Sequence, residues 1–102
     1  MLPIPIPYEQ LIAFCQRWKI RELAVFGSVL RDDFSPQSDI DILVTFTDDA
    51  DWSLFDHVKM EQELESLLHR KVDLLTKSAV EQSTNLIRRK AILGTARTLI
   101  AA

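Results

Sequence analysis

The chain has 102 residues, of which 47% are hydrophobic and 26% charged, a balance that excludes a disordered segment and supplies one modest core. A net charge of −3 excludes a general basic footprint for nucleic acid, so a nucleic-acid partner is not expected. Cys15 is alone, which excludes an internal disulfide and fits a reducing compartment.

The first seven residues are apolar but interrupted by Pro3, Pro5 and Pro7, without the basic start and long apolar run of a signal peptide. No apolar run approaches the roughly 20 residues that span a bilayer. A soluble, cytoplasmic protein is expected, forming a single domain over residues 1–102. Helix formation becomes possible after Pro7. Tyr8, Leu11, Ile12, Cys15 and Trp18 then recur at helical spacing, predicting a helix to about residue 19. Leu23-Ala24-Val25-Phe26 reads as a short strand buried on both faces and stopped by Gly27.

Ser28 to about Asp32 is predicted as a short helix, and Phe34 to Ser38, with Pro36 and two serines, as a turn. Asp39 to Phe46 reads as the second strand. An acidic loop, Thr47 to Asp51, leads to a helix over about Ser53 to His69, with Leu54, Val58, Leu64, Leu67 and Leu68 as its buried stripe. In the third strand, Lys71 to Thr76, Val72 and Leu74 alternate with Asp73 and Leu75. Ser78 to about Leu93 is helical, with a new N-cap available near Ser83-Thr84-Asn85. Gly94 is expected to end that helix, and Thr95 to Ile100, apolar and β-branched enough for a last strand, is left open between strand and helix. Strands separated by helices predict an α/β fold: a small mixed β-sheet flanked by helices.

The chemistry concentrates at Phe26-Gly27-Ser28-Val29-Leu30-Arg31 and Ser38-Asp39-Ile40-Asp41. Alternation on a strand puts Asp39 and Asp41 on one face and Ile40 and Ile42 on the other. Like charges so close repel, and a divalent cation between them would compensate. A glycine-serine turn opening a helix offers free backbone N–H groups to phosphate. Metal-binding carboxylates beside a phosphate cradle suggest metal-assisted chemistry on a nucleoside triphosphate.

Gly27-Ser28-x-x-Arg31, Ser38-Asp39-x-Asp41 and a further carboxylate at Asp73 resemble the nucleotidyltransferase superfamily that includes DNA polymerase beta. Length and element order resemble its minimal nucleotidyltransferase branch, the MNT or MntA antitoxin-like proteins. The resemblance implies a polymerase beta-like nucleotidyltransferase core with Asp39, Asp41 and Asp73 as catalytic, magnesium-binding carboxylates. It implies nucleotide contacts from Gly27, Ser28, Arg31 and Ser38, with ATP as substrate. Many relatives have a small residue before the arginine and a glycine after it, where this chain has Leu30 and Asp32. Arg31 is therefore open to two roles, phosphate contact or surface pairing with Asp32 or Asp33.

Other readings stand beside these. Asp39 and Asp41 could be the wet face of an amphipathic strand, Asp73 a surface residue, and Ser28 a helix cap. His57 and His69 lack metal-ligand spacing, and His69 near a helix end reads as structural. Trp18, Trp52, Met60 and Cys15 read as packing residues. Arg88-Arg89-Lys90 is the only basic cluster: a solvated helix face, or a contact for nucleotide or an acidic partner.

With the whole chain consumed by the catalytic fold, the acceptor is expected on another molecule. The resemblance implies a HEPN-domain ribonuclease toxin, neutralised by transfer of AMP from ATP to one of its tyrosines. The alternative is a non-catalytic antitoxin that silences its partner by binding and occlusion. A third reading is transfer to a small molecule or to RNA ends.

Overall fold

The computed structural model describes residues 2–31, 34, 35 and 37–101. Helix α1 (Tyr8–Arg17) starts directly after Pro7 and ends before Lys19, whose φ of 55° turns the chain into strand β1 (Ile20–Phe26). A 3-10 turn (Gly27–Leu30) leaves the end of β1, and β2 (Ile40–Phe46) follows. Helix α2 (Leu54–Leu68), β3 (Val72–Thr76), helices α3 (Lys77–Glu81) and α4 (Leu86–Thr95), and β4 (Arg97–Ala101) complete the order. The turn after Gly27 is tighter and shorter than the expected helix; its expected end at Asp32, Asp33 beside it, and the breaker Pro36 lie outside the described residues.

The strands form one mixed sheet in the order β3-β2-β1-β4. β1 runs antiparallel to β2 and β4, while β2 and β3 are parallel. Parallel neighbours need a crossover, and α2 supplies it. One face of the sheet presents Leu23, Val25, Ile40, Ile42, Val44, Val72 and Leu74 to Leu11 and Phe14 of α1 and to Met60, Leu64 and Leu68 of α2. Ile40, Ile42 and Val44 are fully buried there. Each such side chain contributes about 1.5–3 kcal/mol relative to remaining in water. On the opposite face Ala24, Phe26 and Leu43 pack with Val80 and Ile92 in a smaller cluster under α3 and α4. Among the described residues no helix is long and apolar enough to cross a membrane.

The α2 start is a capping box: the Ser53 hydroxyl accepts the Asp56 N–H at 3.2 Å, and the Asp56 carboxylate accepts the Ser53 N–H at 2.9 Å. Its buried stripe differs from the expected one. Met60, Leu64 and Leu68 are buried, whereas Leu54 is 80% and Val58 45% exposed. A second row on α2 explains the rotation, because it faces the outer edge of β3. Glu65 accepts the Val72 N–H at 3.1 Å, Glu61 accepts the Leu74 N–H at 3.0 Å, and His57 Nε2 donates to the Leu74 carbonyl at 2.9 Å. The four-residue step from Glu61 to Glu65 thus matches the two-residue step from Leu74 to Val72, His57 joins the row at Leu74, and Leu54 and Val58 fall outside both rows.

Asn85 caps α4 by accepting the Arg88 N–H at 3.1 Å, at the expected break. Gly94 does not end that helix. It sits within α4, where a Cβ would meet nothing within 4 Å, and the chain leaves the helix after Thr95 to pair Arg97 with Val25. Sheet pairing, not a glycine cap, sets this boundary. Trp18 and Trp52 pack edge-to-face at 5.0 Å, Met60 is buried, and burial pushes the Cys15 thiol up to about 11, so all four are packing residues.

Candidate functional site

Asp41 lies on β2 between Phe26 of β1 and Asp73 of β3, in register with both. Parallel register places Asp41 and Asp73 on the same face of adjacent strands, the face that carries Leu43 and not the one that carries Ile42. Asp39 precedes β2 by one residue. It is exposed, as is Asp73, while Asp41 is partly buried.

Gly27 is what lets Asp41 sit this close to the turn. Its φ is +76°, and a Cβ at this position would lie 2.2 Å from Asp41 Oδ2. Both the left-handed backbone and the contact exclude a side chain. Burial, then the charges of Asp73 and Asp39, raise the Asp41 pKa above its ordinary 3.8, against the Arg31 guanidinium and a hydrogen bond from the Ser28 N–H. The turn and the carboxylate are therefore one unit, since a backbone N–H of the first is aimed at the second.

Among the described residues no three His, Cys, Asp or Glu side chains gather into a group that could hold a metal ion by itself. Magnesium does not require one: it commonly uses one or two carboxylates and completes its octahedron with phosphate oxygens and water. Asp39 and Asp41 are hard oxygen donors, and a cation would relieve the repulsion from Asp73 and Asp39 that adds to burial in raising the Asp41 pKa. The donor set fits magnesium.

The turn before Asp39 is pinned by a residue that the sequence did not single out. Arg70 donates to the carbonyls of Ser35 and Ser38 at 2.9 and 3.0 Å, and its guanidinium stacks 4.5 Å above the Phe34 ring. The Ser38 hydroxyl accepts the Ser35 N–H at 3.1 Å, so in this structure it holds its own turn. An arginine beside β3 carries no spacing signal, and only the tertiary fold brings it to this loop. Arg31, with Gly27, Leu30, Thr95 and Arg97, lines a cleft of about 480 Å³. Of the basic cluster, Arg89 donates to the Glu81 carbonyl at 3.1 Å and ties α4 to α3, and Arg88 and Arg89 line a separate recess beside Leu75.

Comparison with known proteins agrees with this arrangement. The family profile described as a nucleotidyltransferase domain matches residues 8–95. Protein adenylyltransferase MntA of Thermococcus cleftensis is 41% identical over 66 residues, covering 65% of this chain and 65% of that protein. This chain thus spans about two thirds of that relative's length. A solved structure named as a minimal nucleotidyltransferase is 31% identical, with a TM-score of 0.67 over 88% of this chain and 86% of the other. The MNT antitoxin solved with a tri-AMPylated HEPN toxin of Shewanella oneidensis shares the fold at a TM-score of 0.61 and 21% identity, over 93% of this chain and 70% of that one. With its Gly-Ser turn, its Asp-x-Asp strand and a profile match over most of its length, this chain belongs to the nucleotidyltransferase domain family.

Proposed function

We propose that the chain is a magnesium-dependent protein adenylyltransferase, the cytoplasmic antitoxin of a HEPN-domain ribonuclease toxin, and that it transfers AMP from ATP to a tyrosine of that partner. The observation that carries the reading is the register of Asp41 with Asp73 beside the Gly27 turn. The Thermococcus protein adenylyltransferase and the AMPylated Shewanella toxin complex support the acceptor class.

Asp39 and Asp41 would hold magnesium, with Asp73 as the third carboxylate; the bound metal supplies charge neutralisation at the attacking and leaving oxygens. Gly27 and Ser28 border the position of the triphosphate, with Arg31 and Ser38 as further nucleotide contacts. In the transfer step the tyrosine oxygen forms a bond to the α-phosphorus while the bond from that phosphorus to the bridging oxygen breaks. Pyrophosphate leaves with the electron pair, and Asp73 takes the hydroxyl proton. ATP, magnesium and the partner toxin should give an AMP-sized mass increase on a tyrosine, lost in the Asp39→Ala, Asp41→Ala double variant.

Occlusion without catalysis draws on a different observation, the exposed apolar side chains Phe55 and Ile87, at 83% and 85%, which suit a protein contact. Full protection from the toxin by the double variant at equal concentration would favour it over transfer.

A further inference from the structure

Resting on the proposed role of Asp39 as a magnesium ligand, we infer that Arg70 is the positioning residue for that carboxylate. It acts from the same short segment that leads into Asp73.

Asp39 stands one residue outside β2 and is exposed, so it lacks the ladder that fixes Asp41 between Phe26 and Asp73. Its two flanking peptide groups are held instead by consecutive residues. On one side the Ser38 carbonyl accepts from the Arg70 guanidinium at 3.0 Å. On the other the Ile40 N–H donates to the Lys71 carbonyl at 2.9 Å. Peptide groups are planar, so holding both fixes the Asp39 Cα and the direction in which its side chain leaves.

Arg70 does more than cap one carbonyl. The same nitrogen reaches the Ser35 carbonyl at 2.9 Å, and the guanidinium lies 4.5 Å from the centre of the Phe34 ring. A planar guanidinium can stack on a ring while donating to neighbouring carbonyls, which an ammonium cannot do. The segment that supplies this hold is short. His69 leaves α2 with a φ of 56°, and β3 begins at Val72, so Arg70 and Lys71 complete the link. Two residues after Lys71 comes Asp73, in register with Asp41. One link therefore sets Asp39 through its contacts and delivers Asp73 along the chain.

The sign of the effect separates this role from a purely electrostatic one. A guanidinium near a divalent cation repels it, so by charge alone the loss of Arg70 would tighten metal binding. As a positioning residue its loss weakens metal binding, because a ligand that is no longer oriented must be ordered when the metal arrives.

Manganese titrations followed by electron paramagnetic resonance, with excess α,β-methylene-ATP, test this. The proteins are wild type, Arg70→Ala, Arg70→Lys, Asp39→Ala and the Arg70→Ala, Asp39→Ala double variant. Arg70→Ala should weaken manganese binding about tenfold or more, and amide hydrogen exchange at Ser38 should quicken. Arg70→Lys keeps a donor for the carbonyls without the planar stack, and should lie between alanine and wild type. In the Asp39→Ala background, loss of Arg70 should weaken manganese by less than about twofold further, because the arginine acts through that carboxylate. Unchanged or tighter manganese binding in Arg70→Ala would overturn the inference, as would an undiminished loss in the Asp39→Ala background. Wild-type affinity in Asp39→Ala alone would instead remove Asp39 as a ligand, a failure of the magnesium reading that shows in a different variant.

Discussion

The two faces of the sheet use one strand in opposite ways. Along β2, Ile40, Ile42 and Val44 are sealed under α1 and α2, while Asp41 and Leu43 face the other side, where the α3 and α4 cluster covers Leu43 and leaves the carboxylate end accessible. The first face supplies stability through buried area. The second gives some of it up, since it brings Asp39, Asp41 and Asp73 near one another and raises the Asp41 pKa. A pleated strand keeps the two separable, because neighbouring residues never share a face. Mutations one position apart should therefore fail in different ways.

The sharpest test is Asp41→Asn. If Asp41 binds the metal as proposed, its loss should lower AMP transfer about a thousandfold or more, with the thermal midpoint unchanged or raised; a fold that collapses would show that the carboxylate is structural. Its neighbour should do the reverse. Ile42→Ala leaves a cavity and should cost about 2–5 kcal/mol in denaturant unfolding, with transfer per folded molecule unchanged. Next comes Arg70→Ala, which frees the turn before Asp39. It should raise the magnesium concentration needed for half-maximal transfer about 10- to 100-fold, as loss of an outer support for a ligand does. Gly27→Ala forces a side chain into a left-handed backbone and onto Asp41, and should cost about 1–2 kcal/mol of stability along with transfer.

The smallest effect is pH-dependent. The folded Asp41 pKa lies above its unfolded value of 3.8, so in the window between the two the native state binds more protons than the unfolded one. Stability falls as pH rises through that window, and the penalty is lifted below it. The midpoint of Asp41→Asn should accordingly gain on wild type as pH rises across the window, and a constant difference would show that Asp41 is not strained.

Much of this division was readable in the sequence. The run Leu23 to Phe26 stopping at Gly27, the Asp-x-Asp alternation and the pairing of Val72 and Leu74 against Asp73 all follow from a two-residue period, which sequence states directly. The stripe of α2 was misread at Leu54 and Val58, because the inner side of a helix depends on what it lies against, and α2 lies against a strand edge as well as a core. Gly94 was misread because a glycine signals a helix end only where no strand pairing decides it first. Arg70 was not legible at all: it acts on a loop more than 30 positions away, and nothing in an isolated arginine announces the distant groups it will meet.

The row formed by His57, Glu61 and Glu65 has a consequence beyond folding. By occupying the Val72 and Leu74 amides and the Leu74 carbonyl, it acts as a terminator on that side of the ribbon. β4 forms the opposite border of the sheet. A ribbon stopped along one border cannot be extended there by strand addition, so endless stacking through both borders is closed to it.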